Sequence, residues 1–262
     1  MRISGRDYHY LVRVRRLAAG GFFPALLPGG VEARVRVLSV EGGVLTGVCE
    51  PAGNCADAPE PGPPVPAPRG PGPPLPPIVL FQALPKGSKM DLVVRQAAEG
   101  GLAEVVPFVS EHSAPPPAGG EKPRRWERII REARQQSGSR AATALHRPLS
   151  ADGLFEYWED LKKGRPYPLK GGEAAGLFFH ETPLADTGLH DYLGNNPGIV
   201  VFAVGPEGGF SSAEAARFKA AGFGSVTIGD TVLRTETAAL YGAAAIRTIL
   251  LERNLWMRSV NG

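Results

Sequence analysis

Eleven of the 19 residues from Pro59 to Pro77 are proline, with Gly62, Gly70 and Gly72 among them. Proline has no amide hydrogen to donate to a ladder or helix, so this stretch cannot join a packed element. Its composition favours an extended polyproline-type linker, spanning about 60 Å when straight at ~3.1 Å per residue. A proline-rich ligand for a partner domain is the other reading of such a run. The run divides the chain into residues 1–57, a Pro-rich linker or insert over residues 58–77, and residues 78–262.

Residues 1–57 read as β-structure. The runs Tyr10–Leu17, Gly21–Leu27, Val31–Leu38 and Gly43–Cys49 carry β-branched residues, often alternating with arginine. Pro28-Gly29-Gly30 and Glu41-Gly42-Gly43 punctuate them as turns. Short strands at this spacing predict a small barrel with Arg13, Arg34 and Arg36 on one face.

Residues 78–262 alternate between strand and helix patterns. Ile78–Gln82, Ala103–Val109, Leu177–Phe179, Ile199–Val204 and Ser225–Ile228 are apolar strand-like runs. Between them, Ser88–Glu99 and Pro123–Gln136 have helical periodicity. The latter puts Trp126, Ile129, Ile130 and Ala133 on one stripe and Arg124, Arg128 and Arg131 on another. Continuous apolar strands separated by helices predict an α/β domain with a parallel sheet covered on both faces.

A length of 262 residues fits one or two domains. The longest apolar run, Ile199–Val204, is far below the roughly 20 residues of a membrane span. The first residues lack the apolar segment of a signal peptide, so a cytoplasmic protein with no membrane partner is expected. Cys49 and Cys55 have no Cys/His neighbours at zinc-site spacing, and no metal is expected. Net charge is only +3, yet residues 1–50 hold seven arginines against four acids, and residues 122–140 hold seven Lys/Arg against two Glu. These patches, with Arg13, Arg16, Arg34, Arg36, Arg124 and Arg128, fit a phosphate backbone or a solvated face equally.

The densest chemical information lies between Ile199 and Ile246. A buried strand ends in Gly205-Pro206-Glu207-Gly208-Gly209-Phe210, and Ser211 to Glu214 has the spacing of a capping box. A second strand ends at Ile228-Gly229, and residues 230–237 lead into an Ala-rich helix over Ala238–Leu251. Open α/β sheets bind ligands outside the carboxyl ends of their strands. The first loop has neither the lysine and Ser/Thr of a phosphate-binding loop nor the glycine spacing of a dinucleotide site. Glu207 suits a neutral or cationic ligand better than a phosphate.

Gly205-Pro-Glu-Gly-Gly-Phe followed by Ile228-Gly-x-x-x-Leu233-Arg-Thr-Glu-Thr-Ala238 closely resembles the paired signature of the ribosomal RNA small subunit methyltransferase E family, within the SPOUT superfamily. Ala83–Leu92, Glu132–Gly138, Leu177–Glu181 and His9–Leu17 extend the resemblance over nearly the whole chain. It implies a SPOUT α/β domain with a deep trefoil knot behind a PUA-like β-barrel that binds RNA. The segment before His9 shows no sign of the further strand with which family members usually begin, and the proline run stands as an insertion.

The resemblance further implies S-adenosylmethionine as cofactor, held by His180, Glu181, Thr182, Gly205, Pro206, Glu207, Gly208, Gly209, Ile228, Gly229, Leu233, Thr235 and Thr237. The implied reaction is methylation of N3 of a uridine in 16S rRNA of the small ribosomal subunit, position 1498 by that resemblance. Arg234 is the candidate cation for a uridine anion, and Glu181 or Glu236 the candidate base. Glu236 also reads as a simple helix N-terminal carboxylate. A symmetric homodimer is expected, as knotted methyltransferases commonly build their sites at a two-fold interface. Competing readings are a knotted methyltransferase with another RNA target and a non-catalytic RNA-binding or ribosome-assembly protein.

Overall fold

The computed structural model describes residues 1–26, 32–51, 75–116, 121–139, 141–170, 172–180 and 187–259. The chain forms two compact units, residues 1–70 and 71–262.

In the first unit, β1 (Arg2–Ser4), β2 (Phe22–Leu26), β3 (Glu32–Glu41) and β4 (Val44–Pro51) form one antiparallel sheet in the order β1-β4-β3-β2. Along β3, Ala33, Val35 and Val37 are buried while Arg34 and Arg36 are exposed, the alternation that a one-sided sheet requires. Two expectations fail here. A strand does precede His9, since β1 pairs with β4 through Ile3 and Leu45. And Tyr10–Leu17 is no strand: α1 (Gly5–His9) runs into a π-helical turn over Tyr10–Val14. Tyr8, Leu11, Val12 and Leu17 pack against Phe23, Val35, Val37 and Leu45. The apolar face of the sheet needs a cover, and burying it in this way overrides the β-propensity of the Val/Arg alternation. Arg13 therefore sits on a helical turn instead of beside Arg34 and Arg36 on a strand. The four paired strands form an open order, with β1 and β2 as edges among the described residues. Residues 52–74, most of the proline run, and the turn Pro28-Gly29-Gly30 lie outside the described residues.

The second unit is an α/β domain. Its six strands are β5 (Ile78–Ala83), β6 (Glu104–Phe108), β7 (Ala144–Leu145), β8 (Ala174–Phe179), β9 (Ile199–Val204) and β10 (Gly224–Val226). They run parallel in the order β10-β8-β9-β5-β6-β7. The helices are α2 (Lys89–Glu99), α3 (Glu121–Ser137), α4 (Ala151–Lys162), α5 (Leu189–Tyr192), α6 (Ser212–Ala220) and α7 (Thr235–Ser259).

Every residue of β5 and of β9 is buried. The two-residue period then divides each strand between two cores. Ile78, Leu80, Val200, Phe202 and Val204 face a layer made by α2, α3 and α7. Val79, Phe81, Ile199, Val201 and Ala203 face Leu154, Trp158, Ala215 and Phe218 of α4 and α6. The stripe Trp126, Ile129, Ile130 and Ala133 is buried as its spacing requires, and Arg124, Arg128 and Arg131 lie exposed on the opposite side of α3.

One buried charge stands apart from any loop. The Glu104 carboxylate, at the start of β6, accepts hydrogen bonds from the Tyr157 hydroxyl at 2.5 Å and the Tyr167 hydroxyl at 2.8 Å, and meets His146 Nε2 at 3.1 Å. Burial works to raise this carboxyl, but the bonds from His146, Tyr157 and Tyr167 outweigh it and hold it below the ordinary 4.5. Burial and the adjacent carboxylate push both tyrosines upward.

A folded-state value below the unfolded one means stability that is fully present above about pH 4.5 and lost as pH falls through the folded value. Glu104→Gln is therefore expected to cost about 3 kcal/mol at neutral pH, the scale for breaking a buried pair. Urea unfolding from pH 7 down to pH 3 should show a shallower acid slope in the variant than in the wild type. Parallel slopes would mean that Glu104 is not a source of the acid lability.

Candidate functional site

Three strand ends on the carboxyl side of the sheet build one cavity. The first contribution comes from β9, which ends at Val204 and continues as Gly205-Pro206-Glu207-Gly208-Gly209-Phe210. Gly209 has φ +68°, a region that L side chains rarely adopt. At Gly205 a Cβ would lie 3.2 Å from the Gly209 carbonyl carbon, so the loop doubles back on itself there. Phe210 anchors the loop's end against Phe178 and Phe218, and the predicted capping box follows. Ser211 Oγ accepts from the Glu214 amide at 3.3 Å, while Glu214 accepts from the Ser211 amide at 3.0 Å.

The second contribution is the segment Thr227–Arg234 between β10 and α7. The third is Phe179-His180 at the end of β8, where the His180 amide donates to the Val226 carbonyl at 3.1 Å. Together they enclose about 580 Å³, within the ~300–1,000 Å³ usual for small-molecule sites. The cavity opens at the carboxyl ends of β8, β9 and β10, the side of the sheet on which open α/β folds bind ligands.

Two side chains hold the loops in register. The Thr235 hydroxyl donates to the Gly205 carbonyl at 2.6 Å, joining the N-terminus of α7 to the β9 loop. Glu207 accepts from Lys89 Nζ at 2.6 Å and from the Lys86 amide at 3.1 Å, tying the same loop to the start of α2. Burial works to raise the Glu207 carboxyl, but the bonds from Lys89 and the Glu207 and Lys86 amides dominate and hold it below the ordinary value. Glu207 thus stands at the site as a carboxylate already paired with Lys89.

Of the expected cofactor residues, His180, Gly205, Pro206, Glu207, Gly209, Ile228, Gly229, Leu233 and Thr235 line the cavity. Gly208 does not: a Cβ there would press on the His112 side chain at 3.0 Å, in the loop after β6. A valine at this position would therefore act through His112 and not by blocking the cavity directly. Thr237 is also absent from the lining. The residues expected to form a loop up to Thr237 are partly helix, because α7 begins at Thr235, with the Thr237 and Ala238 amides bonded to the Arg234 carbonyl.

Of the catalytic candidates, Arg234 is exposed on the cavity wall. Glu236 sits in the first turn of α7, with one carboxylate oxygen buried and without a hydrogen-bond partner among the described residues. Glu181 and Thr182 lie outside the described residues.

Lys89, Phe179, Val204, Phe210 and Thr227 also line the cavity, although none was among the expected cofactor residues. Lys89 had a signal in retrospect, since it recurs three residues after Lys86 at a helix start. The arginines of the basic patches are exposed: Arg13 on the helical turn, Arg16 just beyond it, Arg34 and Arg36 on β3, and Arg124 and Arg128 on α3. The Arg34 guanidinium lies 4.2 Å over the Phe22 ring. Among the described residues there is no group of three His, Cys, Asp or Glu that could hold a metal, and no helix long and apolar enough to cross a membrane.

Residues 73–247 match the family model of the RNA methyltransferase domain. A ribosomal RNA small subunit methyltransferase E of Synechocystis sp. is 30% identical over 250 residues, covering 95% of this chain and 73% of the relative. One from Mesomycoplasma hyopneumoniae is 29% identical over 166 residues, covering 63% of this chain and 66% of the relative. The chain thus spans just under two thirds of the length of the latter. The crystal structure of a ribosomal RNA small subunit methyltransferase E from Neisseria gonorrhoeae bound to S-adenosyl methionine has the same fold. Its TM-score is 0.64 at 22% identity, covering 95% of this chain and 91% of that one.

Proposed function

This chain belongs to the RNA methyltransferase domain family, and from that premise we propose that it methylates N3 of a uridine in 16S rRNA using S-adenosylmethionine. The observation that carries the reading is the cavity where the Gly205–Phe210 and Thr227–Thr235 segments meet. A relative matched over 95% of the chain is named a ribosomal RNA small subunit methyltransferase, which supports it.

The cavity suits the cofactor on its own terms. Glycine at positions 205 and 209 puts no side chain between the loop backbone and an adenine edge, and Glu207, though paired, keeps an acid near a cationic sulfur. When bound, S-adenosylmethionine supplies an electrophilic methyl group. The protein's share of the work is to hold the uridine in line and to manage its charge. N3–H is weakly acidic, so a cation beside the forming anion lowers the barrier, and Arg234, which lines the cavity, is the proposed cation. The N3 proton passes to a carboxylate, Glu236 or Glu181.

The reading extends to the fold and the assembly. The second unit is proposed to be a SPOUT domain with a trefoil knot, and the first a PUA-like module that grips RNA through Arg13, Arg16, Arg34 and Arg36, with Arg124 and Arg128 adding phosphate contacts. Leu240 and Tyr241 of α7 are exposed apolar residues suited to a two-fold contact. The protein would then act in the cytoplasm on the small ribosomal subunit.

Calorimetry should give about one S-adenosylmethionine per chain, on a particle that light scattering sizes as a dimer. Nucleosides of 16S rRNA from a deletion strain should lack one N3-methyluridine. Unchanged nucleosides would redirect the activity to another RNA. A protein that bound RNA but no S-adenosylmethionine would leave the non-catalytic reading.

A further inference from the structure

β5 reads Ile-Val-Leu-Phe-Gln-Ala, and within this apolar run Gln82 is fully buried. A buried amide is costly unless paired, and packing alone would be served by a leucine or methionine at this position. Its partners explain its presence. Nε2 donates one hydrogen to the Ala83 carbonyl at 2.9 Å and the other to Thr235 Oγ1 at 3.0 Å. Thr235 is itself buried, and its hydroxyl donates to the Gly205 carbonyl at 2.6 Å.

A hydroxyl has a single hydrogen, so the direction of this chain of bonds depends on which end of the amide faces it. With nitrogen forward, Gln82 gives and Thr235 is free to give its hydrogen to Gly205. With oxygen forward, Oε1 and the Gly205 carbonyl would compete for that hydrogen, and Oε1 would face the Ala83 carbonyl oxygen. The network therefore selects one orientation. It does so at a cost, because Oε1 is then buried with no hydrogen-bond partner among the described residues. An unmatched buried acceptor calls for a reason, and the neighbourhood offers one. The two atoms that Gln82 controls belong to Thr235 and Gly205, both in the cavity wall, while Gln82 itself does not line it.

We infer that Gln82 is a positioning residue: it sets the direction of the Thr235–Gly205 hydrogen bond and so holds the two cofactor loops in their binding geometry. This role rests on the cavity being the S-adenosylmethionine site.

The test is a double-mutant cycle on S-adenosylmethionine affinity, read by calorimetry on the full chain at a temperature well below each variant's thermal midpoint. Gln82→Met keeps the volume and removes the donor, and it should weaken binding at least tenfold. Thr235→Val should do the same, and Thr235→Ser should recover most of that loss. Because Gln82 acts through Thr235, adding Gln82→Met to Thr235→Val should cost less than a further threefold.

A lowered thermal midpoint with unchanged affinity in Gln82→Met would make the residue merely structural and overturn the inference. So would losses that multiply in the double variant. If Gln82→Met does not fold, the threonine pair decides, since wild-type affinity in Thr235→Val would show that the hydroxyl's direction is irrelevant. A wild-type protein that binds no S-adenosylmethionine overturns the cofactor reading and this role together. Variants that match a binding wild type overturn this role alone.

Discussion

Gly205→Val should lower S-adenosylmethionine affinity by about 100-fold, or roughly 2.7 kcal/mol, while leaving the protein folded. The expectation follows from the shape of the β9 loop. A Cβ at residue 205 would stand 3.2 Å from the Gly209 carbonyl carbon and 3.3 Å from the Phe210 nitrogen, closer than ordinary contacts. Valine adds two γ-carbons to that, and the obstacle is backbone, which cannot swing aside as a side-chain end can. The loop would have to open. Doing so pulls the Gly205 carbonyl from the Thr235 hydroxyl, which reaches it at 2.6 Å. Strand β9 itself, buried along its whole length between β8 and β5, should hold its place. Calorimetry for affinity and circular dichroism for fold separate the two effects. Near-native binding in a folded variant would exclude the loop from the site.

Arg234→Ala should cut methyl transfer about 100- to 1,000-fold, the range seen when one preorganised charge-stabilising donor is lost. The residue is exposed on the cavity wall immediately before α7, and the hydrogen bonds of the Thr237 and Ala238 amides to its carbonyl hold its backbone. Its side chain is not part of the core, so stability should hardly change. Cofactor affinity is expected to move less than tenfold and RNA affinity less still, since in the proposed reaction the charge matters most once the uridine becomes an anion. Single-turnover transfer of labelled methyl, beside filter binding of the RNA, reads both quantities. Unimpaired transfer would remove Arg234 from the chemistry, and a parallel collapse of RNA binding would recast it as a phosphate contact.

Much of the second unit was legible from residue order because its signals are local. Ile199–Val204 was expected as a buried strand and is one, with the same bounds. An uninterrupted apolar run has only one use in a sheet covered on both faces. The capping box from Ser211 to Glu214 was equally plain, because three residues of spacing suffice to close both of its bonds. The stripe on α3 needed nothing beyond the helical period. In the first unit the same kind of reasoning failed at Tyr10–Leu17. The alternation of apolar residues with arginine there matches a strand, yet Tyr8, Leu11 and Val12 also fall on one side of a helix. The open face formed by Val35, Val37 and Leu45 decided between them.

The sequence by itself determined that a parallel α/β domain follows the proline-rich run, and it singled out the two loops after β9 and β10, whose strands the fold separates by β8. Tertiary structure alone decided how those loops are held. Lys89 and Glu207 are 118 residues apart, and Gln82 and Thr235 are 153 apart. No periodicity or spacing relates such pairs. They meet because β5 and β9 become neighbours only after the intervening strands take their places in the sheet, and α7 then returns its first turn to their ends. A hydrogen bond needs its partners within a few tenths of an ångström. Local patterns specify elements, whereas distances of that precision are set by how the elements pack.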